Sequence, residues 1–138
     1  MSHFLTPVLA LIIWTLVIMM IMYKRRVPAM NAISKRTQDF IDDPKLGEKI
    51  PASVRWAADN YNHLHESPTV FYALMFVIFL MDRVTPLAFY CAWGYVALRV
   101  IHSIVQITSN NVIVRFSLFM LSAILLIIMA LSTTAKLF

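Results

Sequence analysis

Residues 4–23 read FLTPVLALIIWTLVIMMIMY, a run of twenty positions without a charged side chain. At about 1.5 Å of rise per residue, such a run wound as a helix covers roughly 30 Å, the thickness of a bilayer's hydrocarbon core. Lys24-Arg25-Arg26 and then Pro28 follow it, so the first span is expected to end near Tyr23. Met1-Ser2-His3 carries no basic cluster and no Ala-x-Ala site follows the run. The segment is therefore read as a retained span and not as a cleaved leader.

Three more apolar stretches extend outward from this one, over about 56–81, 86–107 and 111–135. Pro86 suits the first turn of its helix, where no amide donor is lost. The connectors Asp82-Arg83-Val84-Thr85 and Thr108-Ser109-Asn110 are short, which makes consecutive helices antiparallel neighbours. Residues 24–55 form the one long loop, with a short surface helix expected over 31–41 and a turn over Asp42–Gly47. The expected fold is an all-α integral membrane protein, one domain over residues 1–138, with four transmembrane helices in an antiparallel bundle.

Composition supports that class. Of 138 residues, 60% are hydrophobic and only 2 are glycine, which argues against a soluble globule. The net charge of +5 would suit nucleic acid. Eight Lys/Arg, however, lie with four Asp/Glu in residues 24–55, beside the spans. Positive charge placed this way marks the cytoplasmic side, with both termini outside, and no nucleic-acid partner is expected. Cys91 is the single cysteine, so no intrachain disulfide forms, and it reads as a small buried hydrophobe.

The second span is divided. Residues 70–81 are apolar, whereas 56–69 carry Asp59, Asn60, Asn62, His63, His65 and Glu66. Asp59, Asn62, His63 and Glu66 follow the i, i+3, i+4, i+7 spacing of one helix face. Tyr95, Arg99, His102 and Gln106 do the same on the third span, and Arg115 opens the fourth. Pro68 cannot donate to the Leu64 carbonyl, so a kink is expected there.

Ionisable residues in a membrane helix are costly and usually face a cavity or a partner. Plainer readings exist: Arg99 snorkels to the headgroups, or Glu66 and Arg99 form a structural ion pair. The whole set nevertheless suits a small zwitterionic ligand. Arg99, Arg115 and Arg55 are matched to carboxylates. Glu66 is matched to an ammonium, and Asn62, His102 and Gln106 are neutral hydrogen-bonding groups. An apolar second substrate would arrive through the lipid. His63 and His65 point roughly 200° apart on a helix, so no metal centre is expected. A proton path through Asp59, Glu66 and His102, and a small transporter subunit, are the remaining alternatives.

Asn62-His63-Leu64-His65-Glu66-Ser67-Pro68, followed by Phe71-Tyr72-Ala73-Leu74, and Leu98-Arg99-Val100-Ile101-His102-Ser103 resemble the MAPEG superfamily, the membrane-associated proteins in eicosanoid and glutathione metabolism. The resemblance covers nearly the whole chain and looks closest to an uncharacterised bacterial branch. It implies a homotrimer of four-helix subunits in a bacterial inner membrane. Glutathione would lie between subunits in the cytoplasmic leaflet, and the activity would be that of a transferase or peroxidase on lipophilic electrophiles.

Carried over by resemblance, Glu66 matches the acid that holds glutathione, Asn62 the asparagine just before it, and Arg99 and His102 the arginine and its polar partner one turn later. Arg115 matches the arginine proposed to stabilise the thiolate. Arg25 or Arg26 supplies a cation from the first helix, with Arg26 preferred. The chain departs from the enzymes of the family at Tyr61, where an arginine is usual, at Gln106, where a tyrosine is common, and at Phe116, where some members carry serine. These departures support the alternative of a non-catalytic lipid- or thiol-binding scaffold of the same fold.

Overall fold

The computed structural model describes residues 3–137. In chain order the helices are α1 (Thr6–Ile33), α2 (Asp39–Asp42), α3 (Lys45–Glu48), α4 (Ala52–His63), α5 (Ser67–Leu80), α6 (Pro86–Thr108) and α7 (Val112–Thr134). The described residues contain no strand. Four segments are long and apolar enough to cross a membrane: α1, α4 with α5 (Ala52–Leu80), α6 and α7.

α1 does not stop near Tyr23 but runs on through Ile33, with Pro28 inside it. The proline removes only the amide that would meet the Lys24 carbonyl. Lys24 is exposed, so water can take that carbonyl. Arg25 also fastens the extension, donating from Nη1 to the Ile107 carbonyl at 3.0 Å and the Ser53 carbonyl at 3.4 Å. The end of α6 and the start of α4 are thereby tied to α1. The helix ends at Ser34, whose backbone is extended (φ −149°).

The surface helix expected over 31–41 is not present as such. The Ser34 hydroxyl donates to Asp39 Oδ2 at 2.7 Å and accepts the Arg36 amide at 3.3 Å. These local bonds compete with helix formation, and only the single turn α2 remains. Of the turn expected over 42–47, the first part is an Asx turn, with the Lys45 amide on Asp43 Oδ1 at 3.1 Å, and residues 45–47 are helical. They begin α3.

The kink expected at Pro68 is a full break. The amides of His65 and Glu66 reach back only three residues, to the carbonyls of Asn62 and His63. Glu66 leaves helical geometry (φ −97°, ψ −99°), and Pro68 lies in the first turn of α5, where it is best tolerated. Asp59, Asn62, His63 and Glu66 therefore do not share one continuous face, which corrects the reading by spacing.

The apolar core follows the helical period. Phe4 and then Val8, Leu11, Ile18 and Met22 form a buried stripe along α1. They belong to one cluster with Phe71, Met75 and Ile78 of α5, Ala88, Ala92, Tyr95 and Val96 of α6, and Met129 of α7. α6 and α7 approach closely at Gly94, where a Cβ would meet Leu125 Cδ1 at 2.9 Å. Both helices begin on a side-chain cap. Thr85 Oγ1 accepts the Ala88 amide at 3.2 Å, and Asn111 Oδ1 accepts the Val114 amide at 3.2 Å. Much of α7 stays apolar and exposed, including Ile113, Phe116, Ile127 and Leu131, as expected of a surface that meets lipid or another apolar helix.

Candidate functional site

The break between α4 and α5 opens onto a cleft of about 250 Å³. His63, Glu66 and Ser67 line it from the break, Arg99 and His102 from α6, and Arg115 from the first turn of α7. Val112, Phe116 and Phe119 form an apolar wall.

Arg99 is the decisive residue. Its side chain is only 1% exposed, so it does not snorkel. Nη2 donates to the His63 carbonyl at 3.4 Å. That carbonyl, at the end of α4, also accepts the Glu66 amide at 3.2 Å, so Arg99 takes up its second lone pair. Nε and Nη1 are buried without a partner. The guanidinium carbon lies 5.8 Å from the centre of the Phe119 ring, close enough for a cation–π contribution. Among the described residues the one ion pair is Arg36 with Asp39, at 3.9 Å. Glu66 and Arg99 are therefore not paired. A buried cation without a counter-charge is expensive, and a ligand anion would offset that cost.

Arg115 is held but not neutralised. Nη1 donates to Asn110 Oδ1 at 2.7 Å, and Nε is buried without a partner. His102 is buried on the same side, with Nδ1 unpartnered. Its ring centre lies 6.4 Å from that of His63.

The residues expected to form one site fall into two clefts. Glu66, Arg99, His102 and Arg115 meet in the first. Arg26, Arg55, Asp59 and Asn62 line a second, of about 360 Å³, together with Ile50 and Val54. A proton path through Asp59, Glu66 and His102 is thus divided between separate cavities. Gln106 lines neither. It is 2% exposed, and its Oε1 accepts from Asn60 Nδ2 at 2.9 Å and lies 3.2 Å from His63 Nδ1. His65 turns away, with Nδ1 at 2.8 Å from the Tyr61 carbonyl. Of the two candidate cations on α1, Arg25 is engaged in packing whereas Arg26 lines a cleft.

Spacing left Asn60 and Ser67 off the polar face, and placed His63 on it without a role in the site. Asn60 is fully buried against α6. His63 lines the cleft where Asn62 was expected. Ser67 lines it too, with Oγ 2.8 Å from the Tyr95 hydroxyl. Tyr95 in turn stacks on Phe71, with ring centres 4.5 Å apart. Asn60 and His63 share one face of α4 at i, i+3, one residue out of the register used for Asp59 and Asn62. Ser67 lies beyond the break, where helical spacing carries no signal.

A family model described as MAPEG family matches residues 4–135. No curated protein and no solved structure matches the chain.

Proposed function

Because the chain belongs to the MAPEG family and is an integral membrane protein with four apolar helices, we propose that it is a glutathione-dependent transferase or peroxidase acting on lipophilic electrophiles. The working unit is a homotrimer of antiparallel four-helix subunits in a bacterial inner membrane. The long loop is cytoplasmic and both termini lie outside. Each site sits in the cytoplasmic leaflet between two subunits.

The observation that carries this reading is Arg99, buried with two unpartnered nitrogens in a cleft that also holds Arg115. Such a cleft fits a ligand rich in carboxylates, and glutathione has two carboxylates and one ammonium. The division of the polar residues between two clefts supports a shared site. A neighbouring subunit would bring Arg26, Arg55 and Asn62 to a cleft that lacks them within one chain.

Bound glutathione supplies a nucleophilic thiolate, the reactive form of a thiol. Arg99 and Asn62 hold carboxylates, Glu66 holds the ammonium, and His102 orients the peptide backbone. The Arg115 charge favours thiolate over thiol. Val112, Phe116 and Phe119 keep water from the apolar side, where a lipophilic electrophile enters from the bilayer.

A second reading is favoured by Phe116. Its ring lines the cleft beside Arg115, at the position where some relatives in the family carry serine. On this reading the protein binds thiol peptide or lipid without turnover. Conjugation of glutathione to an aryl halide separates the two. An enzyme conjugates, and Arg115→Ala lowers its turnover more than its affinity. A scaffold binds and does not conjugate.

A further inference from the structure

The interruption of the second span does more than bend it. It leaves the N-terminus of α5, a helix of 14 residues, at the edge of the cleft. The first amides of a helix lack intrahelical acceptors and carry the positive end of its dipole. In the first turn of α5, Pro68 has no amide hydrogen and the Thr69 amide returns to the Glu66 carbonyl at 3.1 Å. The Ser67 amide remains among the donors at the helix end.

Two further features converge on that end. The Ser67 hydroxyl lines the cleft and lies 2.8 Å from the hydroxyl of Tyr95, which is fully buried. If Tyr95 donates, the Ser67 proton is free to point into the cleft. Arg99, almost wholly buried, lines the same cavity with Nε and Nη1 unpartnered. Its Nη2 is meanwhile spent on the His63 carbonyl at the C-terminal end of α4. The break thus sets the negative end of one half-helix against a nitrogen of Arg99, and the positive end of the other beside the cleft. Half-helix termini meeting within a membrane are a recurrent way to hold ions.

We propose that the start of α5 and Arg99 together form a carboxylate subsite, in which the Ser67 amide, the Ser67 hydroxyl and the free nitrogens of Arg99 hold one carboxylate of the ligand. The proposal deepens the reading of this cleft as a ligand site, and it rests on that reading. The carboxylate comes either from a thiol peptide in the cytoplasm or from a fatty acid in the bilayer. Both present the same group to the same donors.

The test uses the full chain in lipid nanodiscs. S-methylglutathione is titrated by calorimetry and the fatty acid cis-parinarate by fluorescence, with parinarate methyl ester as an uncharged control. Ser67→Pro removes the amide and hydroxyl donors at a first-turn position, and the ester reports any disturbance of Glu66, whose backbone a following proline restricts. Ser67→Ala removes only the hydroxyl. At least one acid is expected to bind the unmodified protein. Ser67→Pro should weaken it roughly threefold or more, Ser67→Ala by less, and Arg99→Gln roughly tenfold or more. The ester should respond to none of them. Equal binding of the acid by the unmodified protein and Ser67→Pro overturns the subsite, whatever Arg99→Gln does. Failure of both acids to bind overturns it as well. If parinarate alone binds with the expected dependence, the subsite stands and the glutathione reading falls. If S-methylglutathione binds regardless of Ser67→Pro, glutathione stands and the subsite falls.

Discussion

Arg115 donates to Asn110 Oδ1 at 2.7 Å across the turn that joins α6 to α7. Asn110 has φ 50°, a left-handed angle that asparagine tolerates better than most residues. Its amide closes onto the Val105 carbonyl at 2.7 Å, so the acceptor is fixed on a rigid turn. Because that acceptor is neutral, it positions the guanidinium without cancelling its charge. Asn110→Asp should neutralise Arg115 and lower glutathione conjugation several-fold. Asn110→Gly keeps the backbone angle and removes the acceptor, so its effect should be smaller. Turnover of an aryl halide by the two variants checks the order.

The Asn60–Gln106 contact joins α4 to α6 in the interior. Hydrogen bonds between membrane helices contribute less than their burial suggests, because the unfolded chain in lipid also finds partners. Gln106→Leu or Asn60→Leu should each cost about 1–2 kcal/mol. The double variant should cost less than the sum, since neither polar group is then left alone. Reversible unfolding in mixed micelles measures all three.

Arg25 and Arg26 are adjacent and should behave differently. Arg25 bridges to the carbonyls of Ile107 and Ser53, so Arg25→Ala should lower the thermal midpoint and expose residues 34–51 to protease. Arg26 lines the second cleft. Arg26→Ala should leave both properties unchanged and weaken glutathione binding several-fold. Limited proteolysis and calorimetry on the pair distinguish the roles.

The spans were readable in the sequence because a bilayer demands length and apolarity, and both are local properties of the chain. The ends were less so. The charges of Lys24-Arg25-Arg26 and the ring of Pro28 suggested a stop, but water satisfies an exposed helix beyond the apolar run, and Arg25 fastens it. Glu66, Arg99, His102 and Arg115 could be picked out individually, since polar groups stand out in apolar helices. That Asp59 and Asn62 would line a separate cleft could not be read, because helical arithmetic assumes that the helix continues. The break at 64–66 rotates everything after His63, separating Asn62 from Glu66 and bringing Ser67 into the cleft. Gln106 was misplaced for another reason: its partner, Asn60, lay one residue out of the register used.

The central claim is that this cleft binds glutathione and stabilises its thiolate. The most direct measurement is the ultraviolet thiolate absorbance of glutathione at near-neutral pH, with and without the purified protein. The account predicts a saturable rise in thiolate absorbance that is lost in Arg115→Ala and weakened in Arg99→Gln. The absence of any glutathione binding at millimolar ligand, or a rise that persists unchanged in Arg115→Ala, would contradict it.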